Sequence, residues 1–264
     1  MFDCHMHTSF STDGLMDAEE ACEAALKLGL EGIAFTDHLD HDYPGPESFL
    51  IDFDKYFRQM SSISKKYADK LKILTGVEVG IQPHVIYESS DVISSYPFDY
   101  VLASVHIIDR MDPYRGEFYK GKTKLEAYSR YLEEIYYMVC NLKSFDMVGH
   151  FEYITRYADY ADMTLRYADH TDLFDMIFKK LIEHGRGFEL NTGTFSKSPA
   201  VADYDIEVLK RYRDLGGELI CLGSDAHRTE HIAARFHYFL QLIQEAGFRY
   251  LVHFENRKPV FHKI

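Results

Sequence analysis

The chain has 264 residues, of which 46% are hydrophobic and 27% charged, and its net charge is −13 when histidine is neutral. This composition is typical of a globular protein and excludes a largely disordered chain, while the excess of acid disfavours binding to nucleic acid or to anionic membranes. We expect neither a signal peptide nor a membrane span, because the N-terminal residues lack a basic, apolar leader and no apolar run approaches about 18 residues. Four scattered cysteines without a CxxC pair favour a reducing compartment, so we expect a cytoplasmic protein.

Short apolar segments alternate with helical stretches along the whole chain. The predicted strands are Phe2–His7, Gly32–Thr36, Leu71–Val79, Tyr100–Val105, Met147–Gly149, Gly187–Asn191 and Glu218–Gly223, followed by a strand-like tail at Tyr250–Phe254. The predicted helices are Asp17–Leu28, about Phe53–Asp69, Lys124–Leu142, Thr171–Glu183, Ile206–Leu215 and about Glu230–Glu245. This alternation predicts an α/β fold in which parallel strands close into a barrel. No linker or shift in composition divides the chain, so we expect a single domain over residues 1–264.

A polar side chain stands at the end of almost every predicted strand. These residues are His5, His38, Glu78, His106, His150, Asn191 and Asp225. Each is separated from the next by about one strand–helix unit. Because the carboxyl ends of parallel strands lie on one face of a barrel, we expect these side chains to converge there, where the active sites of such barrels lie.

These side chains, together with their neighbours, form a set suited to binding metal ions. His5 and His7 stand two residues apart on a strand and therefore point the same way, so both can reach one ion. Alone, such a pair also fits two surface histidines near a terminus, but burying so many ionisable groups together is costly unless cations neutralise them. The candidate ligands are His5, His7, Asp13, His38, Glu78, His106, His150, Asp225 and His227. These donors are too many for one ion. They fit either two ions bridged by Glu78 or Asp225, or three ions. Because no thiolate is among them, the set favours catalytic zinc, manganese or iron.

In their order along the chain, these motifs resemble those of the polymerase-and-histidinol-phosphatase (PHP) family. The resemblance is carried by His5-x-His7, Asp13, Thr36-Asp37-His38, Gly76-Val77-Glu78, Ser104-Val105-His106, Gly149-His150 and Ser224-Asp225-Ala226-His227. The phrases GVEVG, SVH, GHFEYITR, ELNTG and SDAH resemble the stand-alone histidinol-phosphatase branch. The resemblance implies a distorted (βα)7 TIM-like barrel whose trinuclear metal centre hydrolyses a phosphate monoester, and the branch implies L-histidinol phosphate, in histidine biosynthesis.

The same resemblance implies how the ligands are shared among three divalent ions. His5, His7, Glu78 and Asp225 would hold the first ion, and Glu78 would bridge to a second bound by His106 and His150. Asp13, His38 and His227 would hold the third. Asp225 or His227, beside this third ion, is our candidate for assisting the leaving alcohol.

Other polar residues lie where the mouth of the barrel is expected. Arg156 and Lys197 are candidates for binding the phosphate group, and Asn191 for orienting the substrate; a solvated loop cation and a turn cap are the alternatives. Asp40 and Asp42 either receive a substrate amine or belong to a solvated loop, which is the favoured interpretation. We expect the remaining histidines to lie outside the ligand set or to be solvated; they are His41, His84, His170, His184, His231, His237, His253 and His262.

Three alternatives to a histidinol-phosphatase stay open from the sequence. The first is a PHP enzyme for another small phosphate ester, such as a nucleotide, a sugar phosphate or phosphotyrosine. The second is a metal-bound scaffold without catalysis, against which stands the presence of all the ligand positions. The third is an amidohydrolase-type deaminase, whose motifs fit less well. The sequence indicates a small phosphorylated substrate as partner, but neither the native metal nor the oligomeric state.

Overall fold

The computed structural model describes residues 1–195 and 202–264, which form an α/β fold. The strands are β1 (Phe2–Met6), β2 (Gly32–Phe35), β3 (His38–Asp40), β4 (Lys72–Gly80), β5 (Tyr100–Ser104), β6 (Met147–Val148), β7 (Gly187–Asn191), β8 (Ile220–Gly223), β9 (Tyr250–Glu255) and β10 (Lys258–Lys263). The helices are α1 (Ala18–Lys27), α2 (Phe53–Tyr67), α3 (Ile86–Ser95), α4 (Lys124–Asn141), α5 (Thr171–Glu183), α6 (Ile206–Asp214) and α7 (Phe236–Glu245). Within the described part of the chain, none of these helices is long and apolar enough to cross a membrane.

The parallel strands form a barrel in the order β1-β2-β4-β5-β6-β7-β8. The residues after β8 close it against β1, because the Asp225 amide donates to the His5 carbonyl at 2.8 Å and the His7 amide to the Ala226 carbonyl at 2.9 Å. The predicted distorted barrel of seven strand positions is therefore confirmed. All the carboxyl ends of its strands lie at one rim.

One strand position of the barrel is interrupted, since β2 and β3 lie end to end along β4. The register is the same on both sides of the gap, with Phe35 opposite Thr75 and His38 opposite Glu78. Tyr56 of α2 lies against this interruption, and its hydroxyl donates to the carbonyl oxygens of Phe35 at 3.0 Å and of Gly76 at 2.9 Å. The gap places His38 beside Glu78 at the rim.

Helices α1, α2, α4 and α6 begin at residues whose side chains cap their first turns. The Asp17 carboxylate accepts the amides of the first turn of α1, and Asp52 and Asp205 do the same for α2 and α6. Thr123 and Glu126 form a capping box at the start of α4. Such caps satisfy amides that have no partner within the helix, so local sequence sets where these four helices start.

Some elements differ from the sequence-based expectation. Helix α3 and strand β10 were not predicted, and α7 begins at Phe236 rather than near Glu230. Ala233 and Arg235 adopt positive φ angles of 52° and 61°, which no continuous α-helix contains, so the chain forms a short 3₁₀ turn before α7 begins.

The C-terminal tail forms an antiparallel hairpin of β9 and β10. Val252 and Phe254 of β9 pack against Cys4 and Tyr100 of the barrel, so the hairpin covers an apolar cluster. His253, expected to be solvated, is buried and stacks on Phe2 with ring centroids 3.9 Å apart. His170 was also expected to be solvated, which is wrong, because its ring is buried and forms a hydrogen bond with Ser129.

Candidate metal centre

The carboxyl ends of the barrel strands bring all the predicted ligand residues into one cluster. His5 and His7 extend from β1, Glu78 lies in β4, and the other histidines and acids follow β2, β5, β6 and β8. Asp13 reaches the cluster from the loop after β1. Among the residues that the structure describes, four overlapping sets of three side chains bring their ligand atoms within 4.8 Å of one another: His7, His38 and His227; His5, His7 and Asp225; His38, Asp40 and His106; and Glu78, His106 and His150.

The fully buried Glu78 carboxylate lies at the centre of the cluster. Its Oε1 atom is 2.8 Å from Nε2 of His150 and 3.2 Å from Nε2 of His106. Its Oε2 atom is 3.3 Å from Nε2 of His5 and 3.0 Å from Nδ1 of His38. Because the two oxygens face different groups of imidazoles, this is the arrangement that a bridging carboxylate requires.

His5, His7 and Asp225 converge on one side of Glu78. The two imidazoles turn their Nε2 atoms toward each other at 2.9 Å. Oδ1 of Asp225 lies 3.2 Å from Nε2 of His7 and 3.5 Å from Nε2 of His5. Three donor atoms so close together can share one cation.

Asp13, His38 and His227 form the outer part of the cluster. Oδ2 of Asp13 is 3.3 Å from Nε2 of His227 and 3.7 Å from Nε2 of His38. The His7 ring stacks between the other two imidazoles, with centroid distances of 4.2 Å to His38 and 4.1 Å to His227. The Asp13 side chain is 48% exposed, so this set of donors opens toward solvent.

Two carboxylates that the sequence analysis did not place in the centre orient its histidines. Both oxygens of the buried Glu189 lie within 3.0 Å of Nδ1 of His5. Oδ1 of Asp40 accepts from Nδ1 of His106 at 2.8 Å, so the favoured interpretation of Asp40 as part of a solvated loop is wrong. Such bonds fix the tautomer and the ring orientation, which leaves each Nε2 atom facing the centre. Glu189 was recognisable in principle, because it stands two residues before Asn191 on the same strand and shares its face.

Arg156 lies at the edge of the cluster. Its guanidinium donates to Oδ2 of Asp225 at 2.6 Å, to Oδ1 of Asn191 at 2.9 Å and to Oγ1 of Thr194 at 2.8 Å. The alternative of a solvated loop cation is therefore wrong for Arg156. Asn191 is fully buried and also donates to Glu189 at 3.1 Å. Lys197, the other predicted phosphate contact, lies outside the described residues.

A cavity of about 580 Å³ opens above the cluster and is large enough for a small molecule. Its floor includes His38, His106, His150, Asp225 and His227, with Arg156 at one side. Its outer wall is formed by Tyr43, Glu47, Phe49, Asp112, Tyr114, Tyr153 and Tyr157. His84 does not line this cavity and instead contacts Asp42 and Arg110 at the surface.

Comparisons with known proteins agree with the fold and with the arrangement of the site. A family model described as the PHP domain matches residues 3–193. The chain belongs to the PHP family. It is 34% identical to the probable histidinol-phosphatase of Clostridium acetobutylicum, over 99% of this chain and 96% of that protein. It is also 34% identical to the histidinol-phosphatase of Lactococcus lactis, over 97% of this chain and 95% of that protein.

Two solved structures are similar to this chain over most of its length. A crystal structure of histidinol phosphate phosphatase from Lactococcus lactis, complexed with zinc, L-histidinol and phosphate, has a TM-score of 0.92 to this chain. The two chains are 33% identical, and the alignment covers 98% of each. A putative histidinol phosphatase from Listeria monocytogenes shares the fold, with a TM-score of 0.76 at 20% identity.

The buried acids and imidazoles of this PHP site shift each other's pKa values. Burial raises the pKa of Glu78, but the surrounding histidines outweigh it and hold that pKa well below its usual range. Burial lowers the pKa of His5, but the carboxylates of Glu189 and Glu78 outweigh it and raise that pKa well above its usual range. Burial, together with His227 and His38, lowers the pKa of His7. The buried acids are thus balanced by protons on some imidazoles, a role that bound divalent cations can take over.

The buried atoms at the centre also fit a metal ion. Oε2 of Glu78 and Nδ1 of His38 lie 3.0 Å apart, yet neither has a hydrogen-bond partner. Buried polar atoms are nearly always hydrogen-bonded or bound to an ion, so these two require a partner. The donors of the cluster are imidazole nitrogens and carboxylate oxygens, the ligand types of catalytic zinc, manganese and iron.

Proposed function

We propose that this PHP protein is a metal-dependent phosphoric monoester hydrolase that converts L-histidinol phosphate and water into L-histidinol and phosphate, in histidine biosynthesis. The observation that carries the proposal is the cluster of imidazoles and carboxylates around Glu78 at the floor of a cavity. Its support is the similarity to histidinol-phosphatases over nearly the whole chain. The Lactococcus structure contains zinc, L-histidinol and phosphate, which are the metal, the alcohol and the acid of this reaction.

The proposed centre holds three divalent ions. His5, His7, Asp225 and Oε2 of Glu78 face one position, and Oε1 of Glu78 with His106 and His150 faces a second. Asp13, His38 and His227 face a third. We propose zinc as the metal, with manganese or iron as alternatives for this donor set. Ions bound in this way neutralise phosphate oxygens and activate water as the nucleophile.

Arg156 is the proposed contact for the phosphate oxygens. Its guanidinium lines the cavity and is held by Asp225, Asn191 and Thr194, so its planar donors are oriented before a substrate arrives. Asn191 is buried beneath it, and we propose that Asn191 positions Arg156 rather than touching the substrate. Lys197 stays a second candidate phosphate contact on the strength of the sequence.

Between the two residues predicted to assist the leaving alcohol, the geometry favours His227. Oδ1 of Asp225 faces His5 and His7, and its Oδ2 accepts from Arg156, so neither oxygen is available to deliver a proton. His227 lines the cavity; Nδ1 donates to the Asp225 carbonyl, and Nε2 faces Asp13. That one Nε2 atom cannot bind an ion and carry a proton at once. We propose that it binds the third ion and assists departure by charge stabilisation.

We further propose a cytoplasmic location and no nucleic-acid partner. The four cysteines are free thiols, which suits a reducing compartment. The net charge of −13 opposes binding to polyanions, whereas the local cations of the site can still attract a small phosphate ester.

An assay of metal-reconstituted protein against a panel of phosphate monoesters tests the proposed function. The comparison is kcat/KM for L-histidinol phosphate against nucleotide, sugar and aryl phosphates. We expect L-histidinol phosphate to have the highest value. A wide preference for another ester would assign the protein to a different PHP phosphatase activity, and no turnover of any ester at full metal occupancy would favour a scaffold.

A further inference from the structure

Asp112 is a buried carboxylate in the wall of the cavity, away from the ligand cluster. Its side chain is only 6% exposed. Oδ2 accepts from the Tyr43 hydroxyl at 2.7 Å, and Oδ1 accepts from the Tyr153 hydroxyl at 3.2 Å and from the Tyr114 amide at 2.8 Å. These donors hold the carboxylate in place, but none of them carries a positive charge.

Among the carboxylates that line the cavity in the described residues, Asp112 is the one without a cationic or imidazole partner within 4.0 Å. The others are paired as follows: Asp13 with His38 and His227, Asp40 with His106, Glu47 with Arg115, and Asp225 with Arg156. Arg115 is the cation next to Tyr43, with its guanidinium 5.9 Å from the centre of that ring, but its ion pair is with Glu47. A buried charge without a partner is costly, and a ligand that brings a positive charge removes this cost.

Aromatic rings surround this carboxylate. Tyr43 packs edge-on against Phe49 at 4.7 Å, and Tyr157 packs edge-on against Tyr114 at 5.2 Å and Tyr153 at 5.6 Å. Ring faces attract ammonium and imidazolium groups, and flat rings also stack on one another. The wall therefore combines one buried negative charge with surfaces suited to a flat or cationic group.

Tyr153 connects this wall to the ligand cluster. Its ring lies 5.1 Å from the His150 ring and 5.4 Å from the His106 ring, while its hydroxyl donates to Asp112. One tyrosine side chain thus spans the separation between the histidines and the carboxylate. A small ester bound with its phosphate at the cluster can reach Asp112 with its other end.

We propose that Asp112, with the rings of Tyr43, Tyr114, Tyr153 and Tyr157, forms the subsite that binds the cationic end of the substrate, and so selects phosphate monoesters that carry an ammonium group. This inference rests on the proposed function, whose substrate has both a primary amine and an imidazole. Neither Asp40 nor Asp42 fits this role, because Asp40 is engaged by His106 and Asp42 is paired with Arg110 and His84 at the surface.

The test removes the negative charge of the Asp112 side chain while keeping the shape of that side chain. Asp112→Asn keeps an oxygen that can accept the Tyr114 amide, so the turn it caps can still form. The matched control is Asp109→Asn, which removes the same charge three residues away from an exposed side chain paired with Arg130. Asp109 has a positive φ of 51°, a conformation that asparagine adopts readily. Melting temperature and metal content are measured for both variants.

The readout is kcat/KM for L-histidinol phosphate and for its N-acetylated derivative, which lacks the ammonium charge. We expect Asp112→Asn to lose roughly 10- to 150-fold on the amine-bearing ester, the loss of one charged hydrogen bond, and to change little on the acetylated ester. Asp109→Asn should retain the wild-type ratio of kcat/KM for the amine-bearing ester to kcat/KM for the acetylated ester. An equal loss on both esters would reveal a structural role for Asp112, and no loss on either would also overturn the subsite.

A binding measurement separates the subsite from the reaction. L-Histidinol is titrated calorimetrically into wild type and Asp112→Asn, with inorganic phosphate as the second ligand. Weaker L-histidinol binding with unchanged phosphate binding supports the subsite, even if the wild type fails to hydrolyse L-histidinol phosphate and the proposed function is wrong. Equal L-histidinol affinity in the two proteins, or no binding by the wild type, would overturn the subsite.

Discussion

At the scale of single residues, Glu78 and Glu189 show how two buried carboxylates of one site differ in their tasks. One oxygen of Glu78 faces Nε2 of His5 and the other faces Nε2 of His150, whereas Glu189 holds the opposite nitrogen of His5. The first carboxylate is placed to touch cations, and the second to orient a residue that touches them. Their glutamine variants therefore form a matched pair.

Glu78→Gln should lose metal as well as turnover, because an amide cannot supply the negative charge shared between two cations. Glu189→Gln should weaken zinc affinity by about 10- to 100-fold, the range found when a partner behind a ligand is changed, and should recover turnover at high zinc. Elemental analysis, chelator competition and kcat measure these effects. Full metal occupancy and wild-type kcat in Glu78→Gln would show that Glu78 is not the bridge.

Arg156→Ala should mainly weaken the binding of phosphate. The loss of a charged hydrogen bond, about 1.5–3 kcal/mol, lowers kcat/KM roughly 10- to 150-fold, and KM rises most unless the contact strengthens in the transition state. Because Arg156 also holds Asp225, we expect some loss of kcat. Arg156→Lys keeps the charge but not the planar fork, so it should recover only part of the activity. If Arg156→Ala kept the wild-type kcat/KM, Arg156 would not be the phosphate contact, and Lys197 would be the next candidate.

The residues at strand ends could be placed together from the sequence, whereas the supporting residues other than Glu189 could not. The rule that parallel strands end at one rim gathers His5, Glu78 and Asp225 without knowledge of any loop. Asp40 ends the short strand β3, which periodicity did not predict, and Asp112 lies in the loop after β5, where no such rule applies. Lys197 falls beyond the described residues, so its role stays a prediction.

At the scale of elements, the interruption between β2 and β3 depends on one side chain from a helix. Tyr56 of α2 donates its hydroxyl to the carbonyls of Phe35 and Gly76, on two neighbouring strands. The side chain is fully buried, so no water can replace it as donor. The helix therefore helps to fix the strands that carry His38 and Glu78.

Tyr56→Phe should lower the free energy of unfolding by about 1–3 kcal/mol, because it removes a buried hydroxyl that is hydrogen-bonded to the carbonyl groups of Phe35 and Gly76. Urea unfolding measures this loss. The control is Tyr87→Phe on α3, where the side chain is 84% exposed and the expected change is within about 0.5 kcal/mol. Equal stabilities of the two variants would show that the Tyr56 hydroxyl does not support the interrupted strand.

Hydrophobic periodicity predicts most of the barrel elements but not all of the others. The long helices α2, α4 and α5 and the buried strands have clear patterns and lie close to their predicted positions. Strand β10 has mostly exposed side chains, and it is formed by pairing with β9, which periodicity does not encode. The beginning of α7 depends on the positive φ angles before it, which likewise leave no periodic signal.

At the scale of the whole molecule, the site lies across the closure of the barrel. His5 and His7 belong to the first strand, and Asp225 and His227 follow the last barrel strand, so ions bound by both groups would tie the two ends of the sheet together. The backbone bonds at this closure are few, including Asp225 to His5 and His7 to Ala226. Metal binding should accordingly contribute to the stability of the fold as well as to catalysis.

Gently purified protein should contain about three divalent ions per chain, and removing them should lower the melting temperature. Ligands that bind only the folded state stabilise it by RT ln(1 + [L]/Kd), about 2.7 kcal/mol at a free metal concentration of 100 Kd. The melting temperature should therefore fall with chelator and rise again with added zinc, and the dependence should weaken at acidic pH because protons compete for the imidazoles. Elemental analysis checks the metal content, and thermal melts check the melting temperature. The melting temperature of Glu78→Gln should respond less to zinc than that of the wild type. One ion or none per chain, with no gain on reconstitution and no shift in melting, would contradict the trinuclear centre.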